Sequence, residues 1–136
     1  MDRRKRRIYQ EIILLAQRFE AINYDDVDFE WVHIPRFELP PGLGRPYTQL
    51  LILLPAGYPA IPPDGFYLDK RLPLSSHYFQ DRSHNPLSHK GWAWYCIHTQ
   101  KASWTPRASI LDGDNLLTYV ELIRAVLTAA ARGEAT

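Results

Sequence analysis

The residue best suited to chemistry is Cys96, the single cysteine in 136 residues. A lone thiol makes no internal disulfide and cannot build a four-cysteine zinc site, so it is either a quiet buried side chain or a nucleophile. His98 stands two residues on. If the backbone there is extended, both side chains point to the same side, and the imidazole can favour a thiolate or take a proton near neutral pH. The bland alternative is a histidine that holds the loop through a backbone hydrogen bond. His84, Asn85 and His89 precede the thiol, and Trp92, Trp94, Tyr95 and Trp104 crowd around it. Cysteine and histidine together can bind zinc, but the spacings of Cys96, His84, His89 and His98 match no standard site, and no metal is expected. A cysteine hydrolase is weaker still, because no separate histidine and acid pair stands out.

Two proline-built segments flank the thiol. Upstream lies Tyr58-Pro59-Ala60-Ile61-Pro62-Pro63, and downstream Trp104-Thr105-Pro106. Each proline fixes φ and removes a backbone donor, so 58–63 forms a rigid connector rather than an interior strand or helix, with the Tyr58 ring packed beneath it. Trp104 suits packing against the loop that carries the thiol. Trp92 and Trp94 form a partner surface if exposed and anchor the loop if buried.

The elements that must position these residues follow from periodicity. Ile8, Ile12, Leu15, Phe19 and Ile22 make one apolar stripe, predicting a helix over about residues 4–22, which Asn23-Tyr24-Asp25-Asp26 ends. Residues 27–34 alternate like a half-buried strand. Pro35 is expected to interrupt it, with Phe37 and Leu39 in a short second strand before the Pro40-Pro41-Gly42-Leu43-Gly44 turn. Residues 47–54 are almost continuously apolar, as in a central strand covered on both faces. Residues 65–68 read as another strand, residues 94–97 as extended or turn, and residues 69–92 as a long loop without a period. Leu116, Leu117, Tyr119, Val120, Ile123, Leu127 and Ala130 predict a final helix, with Asp114 as its N-cap and Gly133 as its stop. This is one α+β domain over residues 1–136: N-terminal helix, antiparallel meander of about four strands, long loop bearing the thiol, C-terminal helix.

Composition narrows the function classes. Hydrophobic residues make up 46% and charged residues 23%, ordinary for a globular chain. No apolar run is long enough to span a bilayer, and the basic start lacks the features of a signal peptide. A single thiol and no export signal predict a cytoplasmic protein with no membrane partner. The net charge is +1, yet Arg3, Arg4, Lys5, Arg6 and Arg7 concentrate five positive charges at one end, leaving the rest mildly acidic. No basic stripe with interleaved aromatics continues elsewhere, so a solvated helix start or a protein-docking patch is expected rather than nucleic-acid binding.

Taken together, Tyr58 to Pro63, the aromatic Phe66-Tyr67 strand, Cys96, and Trp104-Thr105-Pro106 eight residues later resemble the ubiquitin-conjugating enzymes. Phe37 to Gly42, Leu50 to Pro59 and Tyr119 to Arg124 look like the bacterial family E branch of conjugating-enzyme relatives. The resemblance implies a UBC-like fold and a carrier that accepts an activated ubiquitin-like protein on Cys96 as a thioester, then passes it to an amine on a protein acceptor. Tyr58, Pro63, Trp104 and Pro106 would support that site. An ATP-dependent activating enzyme would load the chain, docking on the basic first helix, and a JAB-type peptidase belongs to similar gene sets, some linked to defence against phage. The chain would need no cofactor, since its glycines form no phosphate loop. It departs from the family in one place. The usual His-Pro-Asn asparagine would fall eight residues before the thiol, where Ser88 stands, leaving Asn85 or His89 as substitutes and His98 as the histidine just after the cysteine. Asp112 and Asp114 could assist an attacking lysine or simply cap the last helix. The missing asparagine keeps open an inactive UBC-fold module that only binds a ubiquitin-like or peptide partner.

Overall fold

The computed structural model describes residues 1–70, 72–73, 90–97 and 103–133. The first helix, α1 (Arg3–Ala16), begins where the Asp2 carboxylate accepts a hydrogen bond from the Lys5 amide at 2.7 Å, satisfying one orphan donor of the first turn. Ile8, Ile12 and Leu15 are buried as their spacing predicts. The helix ends earlier than its apolar stripe, at Gln17, whose N–H turns back to the Leu14 carbonyl, while the Leu15 carbonyl accepts from the Arg18 and Phe19 amides. Phe19 and Ile22 still pack on the core from the following turn, so the periodicity outlives the helix.

Among the described residues five strands form one sheet in chain order, β1 (Asn23–Tyr24), β2 (Trp31–Glu38), β3 (Tyr47–Leu53), β4 (Phe66–Leu68) and β5 (Ala93–Tyr95), every neighbour antiparallel. The expected meander of about four strands therefore gains a fifth. Asn23 and Tyr24, read as a helix end, pair with His33 and Val32.

The predicted strand over 27–34 is corrected to β2. Residues 27–30 alternate in type but form a turn, because the Asp25 carboxylate accepts from the Val27, Asp28 and Glu30 amides, each at 3.1 Å. Those bonds, led by the one from Asp28, hold the Asp25 carboxyl below its usual range. Pro35 does not break the strand. A register shift between Ile34 and Phe37 accommodates a residue with no N–H, so Phe37 continues β2 rather than opening a second strand. β3 is corrected too: Thr48, Leu50 and Ile52 are buried while Gln49, Leu51 and Leu53 are half-buried, one face turned to the core instead of both covered.

The last helix, α2 (Leu116–Ala131), starts one residue later than expected. Asn115 caps it in a reciprocal box with Thr118, each side chain bonded to the other's amide at 3.0 Å. Gly133, at φ +77°, ends it as the sequence suggests. Inward residues of both helices and of β2 to β5 merge into a single apolar cluster that includes Phe37, Phe66, Tyr95 and Tyr119. No helix among the described residues is long and apolar enough to cross a membrane.

Candidate functional site at the end of β5

Cys96 follows β5, which among the described residues is one of the two edge strands of the sheet. Its neighbours on the chain are anchored. Tyr95 is 2% exposed, stacks on Phe66 with ring centroids 5.5 Å apart, and its hydroxyl accepts from the Leu72 amide at 2.8 Å. Ile97 is buried as well. Because side chains alternate along an extended chain, two inward neighbours turn Cys96 outward, and the thiol is half-buried. Cys96 is thus a half-buried residue between two buried neighbours just past the strand.

β4 supplies the wall beside it. Gly65 has φ +130°, and a Cβ there would lie 2.4 Å from the Tyr95 carbonyl oxygen and 2.7 Å from Trp94 Nε1. Only glycine lets the two backbones approach this closely without a shift. From α2, the Tyr119 hydroxyl donates to the Gly65 carbonyl at 2.8 Å and accepts from the Gly65 N–H at 3.1 Å. Burial is the main cause that pushes the Tyr119 phenol well above its usual range. The Gly65 bond opposes it, while the Asp64 carboxylate and Cys96 add to it. Tyr119 thus stays protonated and clasps Gly65 within electrostatic range of the sulfur.

The proline motif and the Trp-Thr-Pro segment meet beside Tyr119. The Tyr58–Pro59 bond is cis, Pro62 and Pro63 are buried, and Pro106 is half-buried. Trp104 donates from Nε1 to the Pro59 carbonyl at 2.8 Å and packs between Tyr58 and Tyr119, at centroid distances of 6.1 and 6.2 Å. This joins the two motifs that the sequence sets 45 residues apart. Below them lies Glu11, fully buried, whose carboxylate accepts from the Tyr58 hydroxyl, from the Leu116 amide at 2.7 Å and from Arg7 Nε at 2.8 Å. Burial first, then the Glu11 charge, raises the Tyr58 phenol far above its usual range. Asp114 closes the segment on itself: its carboxylate accepts from the Thr105 amide at 2.7 Å and from the Thr118 hydroxyl at 3.0 Å, and its amide donates to the Thr105 carbonyl at 3.0 Å. A hollow of about 290 Å³ between Ser103, Trp104, Asp114, Thr118, Tyr119 and Leu122 opens beside this segment.

The basic run on α1 divides in two. Arg4 donates to the Tyr58 and Pro55 carbonyls at 3.1 and 2.9 Å, and Lys5 to the Val27 carbonyl at 2.9 Å. Arg7 grips Glu11 and the carbonyls of Arg107 and Asp114. Arg3 and Arg6 are exposed, Arg6 donating to the Met1 carbonyl at 3.3 Å. Hence Arg4 and Arg7 brace the proline motif and the loop after the thiol, and Arg3 and Arg6 give the outward charge.

Asn85, His89 and His98 lie outside the described residues, as do Ser88 and His84. Among the described residues no group of three His, Cys, Asp or Glu side chains could hold a metal ion. Three residues at the site escaped the sequence reading. Glu11 had a signal, since it falls inside the apolar stripe between Ile8 and Leu15, where an acid must find buried partners. Gly65 had a weaker one, a glycine opening a strand. Nothing in the sequence distinguished the Tyr119 hydroxyl from any apolar residue of its helix.

No curated protein matches the chain. Residues 14–130, from the last turn of the stripe on α1 to the end of α2, match the family described as Prokaryotic E2 family E. That span holds the end of α1, the whole meander and nearly all of α2, the elements of a UBC-like fold, with both proline motifs and the thiol they frame, and the chain is a member of this prokaryotic E2-like family.

Proposed function

We propose that the chain is a conjugating transferase that carries a ubiquitin-like protein as a thioester on Cys96. The observation that supports this reading is the half-buried thiol just after β5, in a chain where Tyr119 clasps Gly65 and the Trp104–Pro59 bond joins the two proline motifs. In the loading step the Cys96 thiolate attacks the C-terminal carbonyl of the ubiquitin-like protein held as a thioester on an ATP-dependent activating enzyme. A new S–C bond forms, the donor's S–C bond breaks, and the donor sulfur takes up the proton. In the discharge step an amine of the protein acceptor attacks that carbonyl. The C–N bond forms, the amine sheds a proton, and the Cys96 sulfur leaves and is reprotonated. His98 handles that proton, and Asn85 or His89 steadies the loop where the usual asparagine is missing. The exposed charge of Arg3 and Arg6 docks the activating enzyme. The pathway is a prokaryotic ubiquitin-like one, in which a JAB-type peptidase would reverse the conjugation and phage defence is the setting the resemblance suggests.

The test incubates the protein with ATP, its cognate activating enzyme and ubiquitin-like protein, followed by a non-reducing gel. A thiol-sensitive adduct is expected, absent in Cys96→Ala and replaced in Cys96→Ser by an ester that resists thiols. Normal loading and discharge by His98→Ala would remove that residue from the mechanism. Binding of the ubiquitin-like protein with no adduct would leave the inactive binding module as the correct reading.

A further inference from the structure

Arg7 belongs to two structures at once. Its guanidinium ties α1 to the loop after the thiol, donating to the backbone carbonyls of Arg107 and, at 3.3 Å, Asp114, while Nε holds Glu11 at 2.8 Å. The same side chain lines a groove of about 780 Å³ with Arg3, Arg4, Arg6, Pro59 and Ala108. Four guanidinium groups on one groove suit an acidic segment. A carboxylate is a stronger acceptor than a neutral carbonyl, with charge-assisted bonds roughly twice as strong. An acid entering the groove therefore competes for the two N–H groups that Arg7 gives to the loop, while the buried Glu11 keeps its hold on Nε.

We propose that Arg7 couples the α1 groove to the loop over residues 105–114: an acidic polypeptide segment docked in the groove draws the guanidinium away from the Arg107 and Asp114 carbonyls and loosens this loop, which follows the thiol along the chain. The inference rests on α1 being a docking face, and it adds that docking is felt at the site. By linkage, a change that loosens the loop must strengthen binding in the groove by the same factor. Arg7 is a positioning residue in this scheme, since it touches neither sulfur nor acyl group.

Hydrogen exchange reads the coupling directly, because the Thr105 and Asp114 amides are both bonded within the loop, at 2.7 and 3.0 Å. The probe is a ten-residue poly-glutamate peptide at low ionic strength. At saturation, exchange of these two amides in the wild-type chain is expected to rise by about fivefold or more, with the β3 amides unchanged. In Arg7→Ala the two amides should exchange fast without peptide and no longer respond. Arg7→Lys keeps a charge but not the planar fork, so its two amides should also exchange fast without peptide and no longer respond, and it carries the test if the alanine variant does not fold. Arg18→Ala, which removes an exposed pair with Glu121, should respond as wild type does. Peptide binding without faster exchange, failure of the peptide to bind, or slow exchange in both Arg7 variants would each overturn the proposal. The readout needs no thioester, so a chain whose Cys96 never loads still tests it, and a chain that loads normally can still refute it.

Discussion

Glu11 and Asp69 receive the same three kinds of donor and do different things with them. Glu11 accepts from an arginine, a hydroxyl and a backbone amide, those of Arg7, Tyr58 and Leu116. Asp69 accepts from an arginine at 2.8 Å, a hydroxyl at 2.6 Å and an amide at 3.0 Å, those of Arg45, Thr48 and Gln49. The Asp69 donors lie 20 to 24 residues away, on β3 and the turn before it, and its side chain keeps 21% of its exposure. Those of Glu11 reach 47 and 105 residues along the chain, and its side chain has no exposure at all. Asp69 thus fastens one strand junction that water can also solvate. Glu11 joins α1, the proline motif and the start of α2 where no water replaces a lost partner. Identical chemistry becomes local trim in one place and a junction of three elements in the other.

Removing both carboxylates in turn should expose this difference. Glu11→Ala strands a buried arginine, a tyrosine hydroxyl and a helix amide, and we expect a loss of about 3–5 kcal/mol in urea unfolding. Asp69→Ala should cost about 1 kcal/mol, since its donors can turn to solvent. Equal losses would refute the role given to burial. Gly65→Ala probes the wall that the Glu11 side of the molecule supports. Its Cβ would press on the Tyr95 carbonyl at a positive φ, so we expect a loss of about 2 kcal/mol and slower alkylation of the thiol by iodoacetamide, read by rate.

Acidity sharpens the contrast further. Tyr58 and Tyr119 titrate higher in the folded chain than the usual value of about 10, so both contribute stability below that pH. Above it the unfolded phenols ionise first, and stability should fall by about 1.4 kcal/mol per pH unit for each tyrosine, until the folded phenols ionise. Tyr58→Phe should flatten that decline by one tyrosine's share. Asp69 behaves in the opposite sense. Burial alone would raise its carboxyl, but the bonds from Thr48 and Gln49 and the charge of Arg45 bring it below the usual value near 3.8. Its contribution is present above that value and lost as pH falls through the folded pKa. The stability gap between wild type and Asp69→Asn should therefore be constant near neutrality and narrow in acid below about pH 4, a small effect for a partly solvated group.

How far the sequence reveals this depends on whether a feature has a period. The α2 helix, the place of β3 and the two proline motifs could be read directly, because periodic burial, an apolar run or fixed φ leaves a mark in residue type, though the run of apolar residues in β3 hid its alternating burial. β1 could not, since two residues carry no period. The alternation of residues 27–30 misleads because Asp25 converts it into a turn, a competing side-chain pattern that hydropathy does not register. Pro35 misleads in the other direction, its missing N–H absorbed by a bulge in β2. At the candidate site, Cys96, Tyr58 and Trp104 stand out in the sequence by type and spacing. The Trp104–Pro59 bond, the Tyr119 clasp on Gly65 and the Arg7 grip on the loop depend on long-range packing, which a local reading does not reach.

The central claim is that an acyl group comes to rest on one sulfur. Intact-mass spectrometry of the chain after incubation with ATP, the activating enzyme and the ubiquitin-like protein measures this directly. The account predicts a mass gain equal to the ubiquitin-like protein less one water, mapped by fragmentation to Cys96 and reversed by added thiol. An unmodified mass, or a gain on any other residue that thiol does not reverse, would contradict it.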